Sequence, residues 1–174
     1  DCILTGVNTI IKDNSKLTCR IQGLEDKSPA RIIIDKKLKI PLNSYIVKTA
    51  KKYRTIIFFN KKNDKKVKRL KKFKVKLINI NLENDGNFNL IDILKKIKLF
   101  NYSRVFLESG AGLINSFLKY NLIDNFYIFK SNKNIGKNGS GNFKHKINYY
   151  LNKKKVYTES VNLFGDKLHL YRVN

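Results

Sequence analysis

Arg104 to Lys119 reads RVFLESGAGLINSFLK, and the way this stretch folds decides the architecture. Val105, Phe106 and Leu107 form a short apolar run that reads as a strand buried on both faces. Gly110 and Gly112 break it before an apolar helix begins. Leu113, Ile114, Phe117 and Leu118 recur at i, i+1, i+4 and i+5, so one helical face is apolar and packs back on a sheet. The N–H groups of Gly110, Ala111, Gly112 and Leu113 would then point out of the carboxyl edge of that strand, with the positive end of the helix behind them. Such a site suits a phosphate.

A glycine between strand and helix is often present only for its backbone freedom. The stretch also departs from the dinucleotide fingerprint GxGxxG, because Asn115 stands where the third glycine would be, so it gives no support to a standard Rossmann reading. What adds to the turn is Glu108, a carboxylate at the end of an apolar strand and directly beside the candidate phosphate cradle. Open sheets bind ligands at such edges.

Other strands lie to either side. CILTG, Cys2 to Gly6, opens the chain as a strand, and the mixed polar segment Gly6 to Arg20 reads as a loop with a single turn at Thr9 to Lys12. Thr9, Asp13 and Arg20 cluster after this strand end. RIIID, Arg31 to Asp35, is a second apolar strand ending in a carboxylate, and TIIFF, Thr55 to Phe59, is a third. No element is assigned from Lys36 to Ala50. In the basic run Lys61 to Lys76, Val67, Leu70 and Phe73 fall three apart, so one helical face docks while the lysines stay solvated. Val75, Leu77, Ile78 and Ile80 supply a fourth strand, followed by the turn Asn84-Asp85-Gly86. Asn89 caps a helix over Leu90 to Leu99, with Leu90, Ile93, Leu94 and Ile97 on one face.

Past the central stretch, Phe126 to Phe129 is a further strand, and Ser131 to Phe143 reads as a mobile loop rich in Gly, Asn and Lys. Strands near Val156 to Phe164 and Leu168 to Val173, joined at Gly165-Asp166, fit a terminal hairpin. Strand and helix alternate and an antiparallel pair finishes the chain, which predicts an α/β mixed sheet in one domain.

Composition bounds the function. The 174 residues, 42% hydrophobic and 11% aromatic, suffice for one globular domain with a sizeable core. No run approaches the roughly 18 apolar residues of a membrane span and no leader pattern opens the chain, so the expected location is the cytoplasm, with no membrane partner. Cys2 and Cys19 lack metal spacing and read as reduced structural cysteines. The formal charge of +24 raises a nucleic-acid reading, but the basic residues are 31 lysines and only six arginines. Arginine is the residue that forks onto phosphates and bases. Asn and Ile are abundant as well, and a shared excess of Lys, Asn and Ile is the bias an A+T-rich genome writes into any protein, so no nucleic-acid partner is expected. The chain contains no methionine and opens on Asp1 in a strand, so an N-terminal piece is expected to be missing.

Four stretches together resemble a known family. DCILTGVNTIIKDNSKLTCR (Asp1 to Arg20), PARIIID (Pro29 to Asp35), FLESGAGLINSFLKYNLIDNFYIF (Phe106 to Phe129) and Ile135-Gly136 are similar to the C-terminal reductase domain of the bifunctional riboflavin-biosynthesis deaminase-reductase. The resemblance implies a dihydrofolate reductase-like fold, mostly parallel with a C-terminal antiparallel hairpin and helices on both faces. It implies an NADPH-dependent reduction of the ribosyl group of 5-amino-6-(5-phosphoribosylamino)uracil to a ribityl chain, in a homodimer and without a metal. Carried over by motif, Thr9, Asp13 and Lys36 would touch NADPH, and Gly110, Ala111, Gly112, Leu113, Ile114, Asn115 and Ser116 would wrap its phosphates. Leu17, Arg20 and Glu108 would meet the substrate, with Glu108 and Asp13 orienting it or assisting proton movement at the sugar. A guanidinium fork at Arg20 suits the substrate's phosphate.

There are departures from the family pattern. The family's first strand and helix, and its zinc deaminase domain, are expected to be absent, and with them any deaminase activity. Lys36 stands where the family has a small polar residue, and Asn14-Ser15 replaces Asp-Pro. Two alternatives stay open on sequence: another dihydrofolate reductase-like NADPH reductase of a pterin or pyrimidine, and a basic RNA-binding domain on the same scaffold, whose binding would weaken steeply with salt.

Overall fold

Four consecutive parallel strands, β1 (Cys2–Gly6), β2 (Ala30–Ile34), β3 (Thr55–Phe59) and β4 (Lys76–Asn79), step outward in one direction, and β5 (Val105–Leu107) returns to the free side of β1. The sheet order is therefore β4-β3-β2-β1-β5. The computed structural model describes residues 1–60, 63–131, 144–152, 154–159 and 165–174. The chain divides into two compact units, Asp1–Gly110, which holds this sheet, and Ala111–Asn174.

In the first unit the β-branched runs of β1, β2 and β3 are buried on both faces, as parallel sheets require; Ile32, Ile33, Ile56, Ile57 and Phe58 are all fully buried. The register aligns Thr5 with Ile33, and Ile33 with Ile57. Ile3, Ile33, Ile57 and Phe59 thus share one face. Onto it pack Ile10 of α1 (Val7–Asp13), Ile46 and Val47 of α2 (Tyr45–Lys48), and Leu70 of α3 (Asp64–Lys72). The step from β4 to β5 runs the other way. A right-handed crossover then puts its helix, α4 (Leu90–Lys98), on the opposite face, where Leu4, Ile32, Ile56 and Phe58 point. α4 buries Leu90, Ile93 and Ile97, and its N-cap Asn89 accepts the Asp92 N–H at 3.1 Å.

Three local readings are corrected. Gly6 to Arg20 is not a loop with one turn, because Val7 to Asp13 forms a helix. Val7 and Ile10, one turn apart, seat it on the core, and Asn14 closes it with φ 44° while its N–H bonds the Ile10 carbonyl. The Lys36 to Ala50 stretch contains α2. β5 is not buried on both faces: it pairs only with β1 in this sheet, and Phe106 is 59% exposed. Three apolar residues in a row do not distinguish a central strand from one at the end of a sheet.

The second unit contains α5 (Ala111–Lys119), β6 (Asn125–Lys130), α6 (Lys144–Leu151), β7 (Val156–Glu159) and β8 (Lys167–Arg172). Its strands form an antiparallel sheet of order β6-β8-β7, with Tyr171 of β8 opposite Phe126 on one side and Val156 on the other. The expected parallel strands and antiparallel finish are both present, each in a sheet of its own. β6 alternates half-buried Phe126 and Ile128 with exposed Tyr127 and Phe129, a pattern antiparallel sheets accept. The reading of 132–143 as a mobile loop, with the Ile135-Gly136 match in it, and the strand reading of 160–164 lie outside the described residues. Among the described residues no helix is long and apolar enough to cross a membrane.

Cys2 and Cys19 are free thiols, and burial pushes the Cys2 thiol up to about 11. Thr5 is fully buried on β1, and its hydroxyl has no hydrogen-bond partner among the described residues. A buried hydroxyl without a partner costs stability. Thr5→Val, which keeps the volume, is expected to stabilise the fold by about 1 kcal/mol, read as a higher urea midpoint at unchanged slope. A lower midpoint would mean that the hydroxyl is bonded after all.

Candidate functional site

In open parallel sheets, ligands bind outside the carboxyl ends of the strands where the strand order reverses. Here β2 lies on one side of β1 and β5 on the other, so the reversal falls between β1 and β5. The Glu108 N–H donates to the Leu4 carbonyl at 3.0 Å, which carries the ladder one residue past Leu107. Glu108 is thereby registered beside Thr5, on the face that α1 covers, and is exposed at the sheet edge.

α1 leaves the same edge directly after Gly6 and carries Thr9 and Asp13 one turn apart on one side. The segment that follows is held by backbone-directed bonds. Asn14 Oδ1 accepts the Tyr45 N–H at 2.9 Å, and the Cys19 N–H donates to Ser28 Oγ at 3.1 Å. Leu17 adopts φ 50°, and its side chain is buried in the core with Ile10, so what it can offer a ligand is backbone. Arg20 is exposed.

Two further groups follow the carboxyl end of β2. Asp35 reads in sequence like Glu108, a carboxylate closing an apolar strand, but the structure separates the two. Asp35 is 1% exposed, and its two oxygens accept the Lys39 and Ile40 N–H groups, each at 2.8 Å. It is a turn-former with both oxygens engaged. Lys36 donates through Nζ to the Gly86 carbonyl at 2.7 Å; an ammonium has three donors, and this bond uses one. Burial pulls the Lys66 ammonium below its ordinary value, with the Asp35 carboxylate acting against that shift.

In the second unit, α5 begins at Ala111 with no acidic residue in its first turn, so its first N–H groups and positive end are not offset by a side-chain carboxylate there. Gly110, the last residue of the first unit, and Gly112 both have ordinary negative φ, and a Cβ built at either meets nothing within 4 Å. Among the described residues neither the backbone nor the packing requires glycine at these positions. Ser116 Oγ donates to the Gly112 carbonyl at 3.1 Å, and Asn115 Oδ1 is buried without a hydrogen-bond partner among the described residues. Open space over glycine and an orphaned acceptor fit a bound group with donors and bulk of its own.

The sequence matches the family described as RibD C-terminal domain over residues 1–163. The chain belongs to the RibD C-terminal domain family. It is 35% identical over 134 residues to the riboflavin biosynthesis protein RibD of Aquifex aeolicus, a match covering 77% of this chain and 35% of that protein. It is 27% identical over 145 residues to the 5-amino-6-(5-phosphoribosylamino)uracil reductase of Buchnera aphidicola, covering 77% of this chain and 67% of the relative. The fold superposes on RibD of Acinetobacter baumannii with a TM-score of 0.73 at 18% identity, over 99% of this chain and 47% of that one. The chain thus spans about a third of the RibD relative from Aquifex.

In this RibD C-terminal domain the strand reversal gathers Glu108 with the start of α1, and with it Thr9 and Asp13. Leu17 and Arg20 follow on the pinned loop, Lys36 stands further along the edge at β2, and Ala111 to Ser116 begin the second unit. Sequence reasoning did not single out Thr5 or Arg31, both polar groups buried inside apolar strands. Asp35→Ala orphans the buried Ile40 amide and the partly buried Lys39 amide and is expected to cost about 3 kcal/mol, measured by urea unfolding. A loss below about 1 kcal/mol would mean that Asp35 is not held as a turn-former and would make it a candidate for ligand contact.

Proposed function

We propose that the chain is an NADPH-dependent reductase of riboflavin biosynthesis, acting on 5-amino-6-(5-phosphoribosylamino)uracil. The observation that carries this reading is the seating of Glu108 onto β1 at the reversal of strand order, where the helix that bears Thr9 and Asp13 begins. Family membership and the named reductase relative support it.

Arg20 pairs with the substrate's phosphate, for which a guanidinium has matching geometry, and Leu17 meets the substrate through its backbone. Thr9, Asp13 and Lys36 contact the cofactor, and the first-turn N–H groups of α5 receive its phosphates. The open space over Gly112 fits that assignment, and Asn115 Oδ1, without a partner among the described residues, can accept from a hydroxyl of the cofactor's ribose. Bound NADPH supplies a hydride, which with one proton converts the ribosyl group into the ribityl chain. Glu108 holds the sugar in place and handles that proton, with Asp13 assisting its orientation. Most of what the protein adds is positioning.

A fluorescence titration of NADPH at low and moderate salt tests the reading. Saturable binding is expected to persist at moderate salt, whereas RNA binding driven by lysines would fall steeply. Gly112→Ala should raise stability by up to about 1 kcal/mol, as alanine favours a helix over glycine, and Gly112→Leu should weaken NADPH binding at least tenfold while the protein stays folded. Retained binding in Gly112→Leu would move the cofactor away from the start of α5. Glu108→Gln should lower turnover by about a hundredfold or more with NADPH affinity within twofold of the parent. Unchanged turnover would remove Glu108 from the chemistry.

A further inference from the structure

Arg31, near the start of β2, is fully buried. All five guanidinium N–H donors are engaged, and every acceptor is neutral. Nε donates to Thr55 Oγ1 at 3.2 Å, and Nη2 donates to Thr55 Oγ1 at 2.7 Å, the Ile46 carbonyl at 3.0 Å and the Tyr53 carbonyl at 3.1 Å. Nη1 donates to Thr49 Oγ1 at 3.0 Å and to the Lys16 carbonyl at 3.3 Å. The Tyr53 ring covers the group, its centroid 5.2 Å from Cζ. The last of these bonds reaches out of the sheet and its helices to the loop that follows α1.

Lys16 precedes Leu17, whose φ of 50° is a conformation that a branched apolar residue adopts only when its surroundings impose it. We infer that Arg31 is a positioning residue of the substrate site: by gripping the Lys16 carbonyl from inside the sheet, it fixes the left-handed turn at Leu17 and so sets where Arg20 is presented. The inference rests on the reading of Leu17 and Arg20 as substrate contacts. Asn14 Oδ1 on the Tyr45 N–H and the Cys19 N–H on Ser28 Oγ hold the two ends of the same loop. Arg31 is the anchor at its middle. A lysine in its place keeps the charge but has one point head in place of a fork, so it cannot serve Thr55, Ile46 and Lys16 together.

The test uses the intact protein, ribose 5-phosphate as the probe of the phosphosugar subsite, and NADPH as the internal control. In Arg31→Lys, the affinity for ribose 5-phosphate by calorimetry should fall about tenfold, and the amides of residues 17–20 should exchange hydrogen faster. NADPH affinity should stay within twofold of the parent. If Arg31→Lys does not fold, Thr55→Val, which strips the acceptor shared by Nε and Nη2 at constant volume, carries the same expectation with a smaller effect. Equal weakening of both ligands, or unchanged exchange at residues 17–20, overturns the inference while leaving the reductase reading intact. If the parent protein binds neither ligand, the reductase reading itself fails and takes the inference with it.

Discussion

A buried guanidinium with no carboxylate among its hydrogen-bond partners is the constraint that orders the first unit. Removing an ion from water costs several kcal/mol even after relaxation, and Arg31 offsets that only because each of its donors meets an oxygen at once. Burial lowers its pKa to about 10, with the Tyr45 and Tyr53 phenols acting against the shift, so the group remains charged at neutral pH. A charge that cannot be neutralised has to be satisfied geometrically. The oxygens come from β3, from α2, from the turn before β3 and from the loop after α1, so these segments can hold only one arrangement about β2. No single neighbour could have been traded for an acid without releasing the others.

That solution explains which parts of the fold are legible in the sequence. TIIFF occupies β3 as read, and Asn89 caps α4 as read, because run length, periodicity and capping chemistry are local signals. α1 was hidden because only Val7 and Ile10 mark its buried side, and two apolar residues one turn apart do not rise above a mixed polar background. The role of Arg31 was hidden for a stronger reason. Three of its acceptors are backbone carbonyls, which any residue supplies, so the sequence carries no trace of them. Within RIIID a single arginine reads as the polar start of a strand.

The candidate site was legible to a different degree at each residue. Glu108 and Asp35 have the same local signature, and the contrast between them depends on what comes next. After β2, residues 39 and 40 curl back to present two amides to Asp35. After β5, Glu108 itself stays exposed at the edge of the sheet. Gly110 and Gly112 were legible as glycines, but not that the packing among the described residues leaves open space over both.

Placement of the remaining charge sharpens the division between the two edges of the parallel sheet. At the amino edge, cations and rings satisfy one another. Lys76 Nζ sits 4.0 Å from the Phe100 centroid, and the Arg54 guanidinium lies 5.9 Å from Phe100 and 5.4 Å from Tyr102. Burial raises the Tyr102 phenol while Arg54 pulls against it. These contacts give part of the high basic charge an internal use and close that end of the sheet with stacked, mutually compensated groups. At the carboxyl edge Glu108 is exposed, and Lys36 spends one donor on a turn carbonyl. An anion meeting this unit would find cations compensated by rings at one edge and the Lys36 ammonium, with donors to spare, at the other. The asymmetry follows from where the aromatic residues fall in the sequence, before β3 and before β5, which in a parallel sheet is always the same end.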